Sequence, residues 1–189
     1  MMSFQNDIVS CIKVLNKGGL ILYPTDTIWG IGCEATNEKA AEKIYQLKKR
    51  VNSKSMIILV ADKKEINTYL EDADKKIFDY LSSIQKPTTV IYEQAKNLAQ
   101  NLISSDGTIA IRIVNDDFCK KLIMQYKKPI VSTSANISGE PFSSNFNEIP
   151  AAIKNGVDYI VQHRQNDIMC SQPSSIIKIN SKGEIEVIR

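Results

Sequence analysis

Four short polar clusters in this chain hold the residue types that grip an anion. The first is Thr25-Asp26-Thr27, at the end of the apolar run Leu20-Ile21-Leu22-Tyr23-Pro24 and followed by Ile28-Trp29-Gly30-Ile31-Gly32. The others are Lys48-Lys49-Arg50, Arg112 within Ala110-Ile111-Arg112-Ile113, and Ser132-Thr133-Ser134-Ala135-Asn136. Lysine supplies a mobile point charge and arginine a planar fork that matches phosphate or carboxylate oxygens. An arginine flanked by two isoleucines must find an anion or carry a heavy desolvation cost. That anion is either a bound carboxylate, which accepts the fork through two bonds, or an aspartate of the chain itself. The other clusters have ordinary readings too. Lys48-Lys49-Arg50 at a helix end complements the macrodipole, Thr25-Asp26-Thr27 can close an Asx-type turn, and the Ser132–Asn136 stretch can cap a following helix. Only convergence would make them one anion-rich ligand site.

Other chemistries are poorly served. His163 is the one histidine, so a two-histidine metal site is excluded and a Ser-His-Asp triad would have to run through it. It reads as a surface loop histidine. Cys11, Cys33, Cys119 and Cys170 lie far apart without C-x-x-C spacing, which argues against zinc and against a disulfide framework and fits a reducing cytoplasm. Gly30-Ile31-Gly32-Cys33-Glu34-Ala35 stops one glycine short of a dinucleotide fingerprint, and the Walker pattern is missing. A nucleotide here must therefore have its phosphates held by side chains and by loop hydroxyls and amides.

The clusters need elements that end beside one another. Ile8, Cys11, Ile12 and Leu15 predict a helix over 5–17 that Lys17-Gly18-Gly19 stops before the opening strand. Trp29 and the glycines after it read as shaping a turn. Asn37 caps a helix with Ala41, Ile44, Tyr45 and Lys48 on one side. Val51-Asn52-Ser53-Lys54-Ser55 reads as a loop, and Met56-Ile57-Ile58-Leu59-Val60 as a strand with both faces covered. Asp62 and Glu65 open a helix, and a second follows on Ile77, Leu81 and Ile84. Thr88–Tyr92 is a β-branched strand, Leu98 and Leu102 suggest a short helix, and Asp106-Gly107 turns into a strand that puts Thr108, Ala110 and Arg112 on one face. Asp116 or Asp117 caps a helix through Phe118, Leu122 and Tyr126. Pro129–Ser132 is a brief strand, with Thr133–Gly139 a loop. A helix over about 147–155, a strand over 157–161 and a hairpin of 174–179 with 185–189 across Ser181-Lys182-Gly183 complete the chain. Several consecutive strands lack crossover helices between them, so the expected fold is a single α/β domain over 1–189 with a twisted, mixed parallel and antiparallel sheet flanked by helices.

Composition bounds the rest. A chain of 189 residues, 43% hydrophobic and 24% charged, is an ordinary globular domain. No apolar run approaches the ~20 residues of a membrane span, and Met1–Asp7 has neither the basic nor the apolar region of a secretion signal. A net charge of +3 falls short of the clustered excess typical of nucleic-acid binders.

In their order and separation the four clusters resemble the YrdC/Sua5 family of threonylcarbamoyl-adenylate synthases, in its short single-domain form. Tyr23–Gly32 resembles the family's opening motif, Lys48-Lys49-Arg50 its K-x-R, and Ser134-Ala135-Asn136 with Ser138-Gly139 its S-x-N and following S-G. Pro87-Thr88-Thr89, Gly107–Arg112 and Pro173-Ser174-Ser175-Ile176-Ile177 extend the likeness over about residues 8–189. Val51 and Val114 stand where prolines are common, Lys178 where an aspartate is, and Ser175 where a threonine is. None of these departures removes a charged ligand-binding group.

The resemblance implies the family's YrdC/RibB-like sheet. It also implies condensation of L-threonine, bicarbonate or CO2, and ATP into threonylcarbamoyl-AMP with release of pyrophosphate, usually with Mg2+. The product serves t6A formation at adenosine 37 of tRNA through a separate transferase complex. By the same resemblance Thr25, Arg112, Ser132 and Ser174 bind threonine, Arg112 on its carboxylate. Lys48, Arg50, Thr108, Ser134, Asn136 and Ser143 hold ATP, with Lys48 and Arg50 the catalytic cations on the triphosphate and leaving pyrophosphate. No general base and no metal ligand is assigned. Two rival readings share the fold: a non-catalytic module contacting tRNA or double-stranded RNA, and the carbamoyl-transfer domain of hydrogenase maturation factors, against which the lack of paired C-x-x-C motifs argues.

Overall fold

Apolar helix stripes and unbroken apolar strands hide together when helices lie against a sheet, and this chain folds that way. The computed structural model describes residues 4–50, 56–71, 75–168, 172–179 and 185–189. The predicted Val51–Ser55 loop, the Ser181-Lys182-Gly183 turn and Cys170 lie outside them.

Helix α1 (Gln5–Leu15) buries Ile8, Cys11 and Leu15 and stops at Gly18, whose φ of +67° is one that glycine adopts without strain. Strands β1 (Ile21–Tyr23) and β2 (Gly30–Gly32) flank the Pro24–Trp29 turn and pair antiparallel. Helix α2 (Glu38–Leu47) starts at Asn37, whose side chain accepts from the Ala40 amide at 3.0 Å. Strand β3 (Ile57–Val60) leads to α3 (Lys63–Tyr69), capped by Asp62, and α4 (Lys75–Ser83) follows. Then come β4 (Thr88–Tyr92), β5 (Ile109–Ile113), α5 (Asp117–Tyr126) capped by Asp116, and β6 (Ile130–Ser134). Helix α6 (Ala151–Asn155), β7 (Tyr159–Ile160), β8 (Ser175–Ile179) and β9 (Ile185–Val187) close the order.

Among the described residues the strands form one sheet in the order β7-β1-β2-β6-β3-β5-β4-β8-β9. The pairs β1/β7, β3/β5 and β4/β8 are parallel and the other neighbours antiparallel, so the mixed sheet expected from the sequence is present. No helix among the described residues is long and apolar enough to cross a membrane.

Four local readings change. Gly30-Ile31-Gly32 is a strand squeezed between two others: a Cβ at Gly32 would stand 2.6 Å from both the Val131 carbonyl and the Tyr23 ring. Strand β6 runs on to Ser134, because Gly30 pairs with Ser134 and Ile31 with Thr133. Leu98 and Leu102 support only a 3-10 turn at Gln100–Leu102. The helix expected near 147 starts at Ala151, since Pro150 caps it and a separate turn occupies Phe146–Glu148.

Candidate functional site

Strand side chains alternate between faces, so β5 sends Ala110 and Arg112 to one side while Ser132 and Ser134 of β6 meet them there. A cavity of about 390 Å3 opens on this face. Its walls include Thr27 to Gly30, Arg50, Arg112, Ser132 to Ser134, Asn136 and Ser174. Six of the predicted residues therefore converge: Arg50, Arg112, Ser132, Ser134, Asn136 and Ser174.

Arg112 is 2% exposed. Its Nη2 lies 3.1 Å from Asp26 Oδ1, so the aspartate of the chain is present as one alternative required. The fork is not consumed by it. Nε and Nη2 both lack a hydrogen-bond partner among the described residues, and Asp26 Oδ1 is outside hydrogen-bond alignment. The other Asp26 oxygen accepts from the Asn115 amide at 3.2 Å. Asp26 thus lies against the buried charge, yet neither Nε nor Nη2, the edge that takes a carboxylate through two parallel bonds, has an aligned acceptor among the described residues. Nearby, Ser174 Oγ and Thr89 Oγ1 share a hydrogen bond at 2.8 Å. Thr89, fully buried, extends the hydroxyl floor.

Lys48 departs from expectation. It is 1% exposed and does not line the cavity. Its ammonium donates to the Ser134 carbonyl, to the Asn136 carbonyl at 2.6 Å and to Asn136 Oδ1 at 3.2 Å. The Lys48 carbonyl accepts from the Ser138 amide at 2.9 Å. The residue therefore clamps α2 to the loop after β6 through three backbone and amide oxygens at the strand end. Burial, and then the like charge of Arg50, push the Lys48 ammonium down to about 7. Asn136 is held from its other end by donating to the Glu140 carbonyl at 2.6 Å.

Three further predicted residues stand off the cavity wall. Thr25 Oγ1 is used inside its own turn, bonding Thr27 Oγ1 at 2.9 Å, the Thr27 amide at 3.0 Å and the Ile28 carbonyl at 2.8 Å, and Thr27 faces the cavity instead. Thr108 donates to Asp106 Oδ1 at 2.7 Å, one residue before β5 begins. Ser143 donates to the Glu148 carbonyl at 3.2 Å and braces its own loop. His163 is half-buried rather than a surface residue, with its ring 4.9 Å from Phe4 and its amide donating to Asp7.

Sequence reasoning missed Arg189 and Phe142. Arg189 follows β9 on the cavity wall and donates through Nη2 to the Ser174 carbonyl at 3.2 Å. Phe142 offers a 38% exposed ring on the same wall. A lone arginine after an edge strand, or an aromatic in a loop, carries no periodic signal that would point to a cavity. No group of three or more histidine, cysteine, aspartate or glutamate side chains that could hold a metal occurs among the described residues.

Arginine forks, hydroxyls and a fixed polar loop line one pocket on one face of a mixed sheet, and these groups suit anionic oxygens. The chain belongs to the Sua5/YciO/YrdC family, whose model, described as telomere recombination, matches residues 13–189. It is 33% identical over 179 residues to a threonylcarbamoyl-AMP synthase of Pseudoalteromonas translucida, covering 93% of this chain and 94% of that relative. It is 27% identical over 189 residues to one of Coxiella burnetii, covering 95% and 100%. The crystal structure of P. abyssi Sua5 complexed with L-threonine shares the fold with a TM-score of 0.86 at 19% identity, covering 100% of this chain and 55% of that longer one.

Proposed function

We propose that this chain is a threonylcarbamoyl-AMP synthase, a nucleotidyltransferase that condenses L-threonine, bicarbonate or CO2, and ATP and releases pyrophosphate. The observation that carries the reading is the Nε/Nη2 edge of buried Arg112, on which neither nitrogen has an aligned acceptor among the described residues. A threonine carboxylate would satisfy both donors, with Ser132 and the Ser174–Thr89 pair beside it. The synthase names of the relatives and the threonine held by the P. abyssi protein support the same assignment.

The chemistry asks little of the protein beyond position and charge. The threonine amine adds to CO2 and loses a proton to give a carbamate. A carbamate oxygen then forms a bond to the α-phosphorus of ATP as the bond to the pyrophosphate oxygen breaks. Negative charge spreads over the phosphoryl oxygens, and fixed cations and donors stabilise it without a covalent nucleophile. Arg50 and Arg189 would take the phosphates, and Ser134 and Asn136 would hydrogen-bond the nucleotide; that all four line one cavity supports this. Lys48 serves by holding the Ser134–Asn136 loop in shape. Magnesium would arrive on the triphosphate as part of the substrate, the usual habit of this ion. The product would pass to a separate transferase acting on adenosine 37 of tRNA in the cytoplasm, a compartment that suits the free thiols of Cys11, Cys33 and Cys119.

Mixing the protein with ATP, bicarbonate and threonine and measuring pyrophosphate tests the proposal. Release that requires threonine, and that falls about 100-fold in Arg112→Ala, is expected when a preorganised charge is removed. Equal release without threonine would overturn it.

A further inference from the structure

The stretch from Gln162 to Asp167 is held more firmly than a connection after β7 requires. The amides of Gln162 and His163 donate to the two oxygens of buried Asp7, both at 3.0 Å. Arg164 then takes a φ of +67°, a left-handed backbone that favours glycine. A strained arginine in such a turn makes physical sense when its side chain is needed at that spot.

The guanidinium is engaged through Nη1 and Nε. Nη1 donates to the Thr25 carbonyl at 2.9 Å and lies 3.4 Å from Asp116 Oδ2, while Nε donates to Asp167 Oδ2 at 2.7 Å. Thr25 begins the turn that carries Asp26 and Thr27, and Asp116 caps the helix that follows β5 and Arg112. One side chain thus fastens the end of β1 to the end of β5. Those two ends carry the Asp26–Arg112 ion pair. Arg164 itself does not line the ligand cavity.

We infer that Arg164 is a positioning residue, a latch on the Thr25–Ile28 turn that sets Asp26 and Thr27 in register with the Nε/Nη2 edge of Arg112. Removing the latch lets the turn shift outward and tilts Arg112 away from its productive angle, because Asp26 is the acid paired with it. The effect falls on the ligand's carboxylate end and leaves the phosphate end, held by Arg50 and the Lys48-clamped loop, unchanged. The inference rests on the reading of Arg112 as the threonine-carboxylate ligand.

Arg164→Gly separates this role from a purely structural one, since glycine relieves the left-handed backbone while deleting the guanidinium. The expected result is a KM for threonine raised about tenfold, the worth of one charge-assisted hydrogen bond, with the KM for ATP within twofold of wild type. Arg164→Lys should not rescue, because a point charge cannot serve the Thr25 carbonyl and two carboxylates together. Asp167→Asn, which loosens the Nε anchor on an exposed partner, should raise the same KM by a smaller factor. Trp29 is the sole tryptophan and sits at the end of the latched turn, so Arg164→Gly should also shift its emission in the absence of ligand. Unchanged threonine KM and emission in Arg164→Gly, or a rise of both KM values in proportion, would overturn the inference. If the wild-type protein releases no threonine-dependent pyrophosphate, the functional reading fails instead, and the Trp29 emission alone then decides whether the latch exists.

Discussion

Arg112 and Lys48 are both buried cations, held in opposite ways. Arg112 has an acid beside it and an edge of its fork left over. Lys48 has no acid among its hydrogen-bond partners and spends its protons on the oxygens of one loop. The consequences differ. Arg112→Lys keeps a charge but loses the two parallel bonds, so the KM for threonine should rise at least ~10-fold with little change in that for ATP; steady-state kinetics in each substrate would check this. For Lys48 the readout is stability against pH. Unfolded, its ammonium titrates near 10.5, and in the folded chain at about 7. Between those values the unfolded chain binds the extra proton, so the burden of a buried charge is complete below pH 7 and fades as pH rises toward 10.5. Urea unfolding of wild type and Lys48→Met across that window should show the difference moving steadily in favour of the wild type. Parallel curves would mean that the ammonium titrates normally.

At the scale of elements, strand β2 shows what composition hides. Glycine is a poor strand former, so Gly30-Ile31-Gly32 resembles a turn in sequence, yet its missing side chains are what allow the Tyr23 ring and the β6 backbone to close on it. Gly32→Ala should destabilise the fold by about 1–3 kcal/mol, the usual range for overpacking, measured as a lower urea midpoint with unchanged slope. Gly107→Ala puts its Cβ in open space, but φ there is +78°, so it tests backbone strain without crowding. The elements that were readable carry strong local signals: β3 and β5 as β-branched apolar runs, and α2, α3 and α5 through their caps Asn37, Asp62 and Asp116. Strand β6 was readable only as far as Ser132, since Thr133 and Ser134 look like a loop when their cavity is unseen. The same limit governs the site. Arg50, Arg112, Ser132, Ser134, Asn136 and Ser174 were legible as polar groups beside strand or helix ends. Thr25, Thr108, Ser143 and Lys48 look identical in type, but they stand off the cavity wall with bonds to partners close by in space, and sequence does not show that placement.

Across the whole molecule the cavity draws its wall from stretches scattered from Thr27 to Arg189. Contacts of such long separation are slow to form, because chain closure must precede the gain from pairing. In refolding from urea, the far-ultraviolet circular dichroism of the helices should therefore return ahead of the Trp29 emission, and simultaneous recovery would speak against a late-forming pocket. The parallel pairing of β1 with β7, and the Arg164 contact to Thr25 beside it, carry the same delay into biosynthesis. On a ribosome the turn bearing Asp26 and Thr27 emerges among the earliest parts of the domain, while Arg164, which fastens it, lies 139 positions after Thr25. The first wall of the pocket to be made is the last to be set, and the nascent chain gains its full grip on a ligand only once the late strands of this domain have emerged.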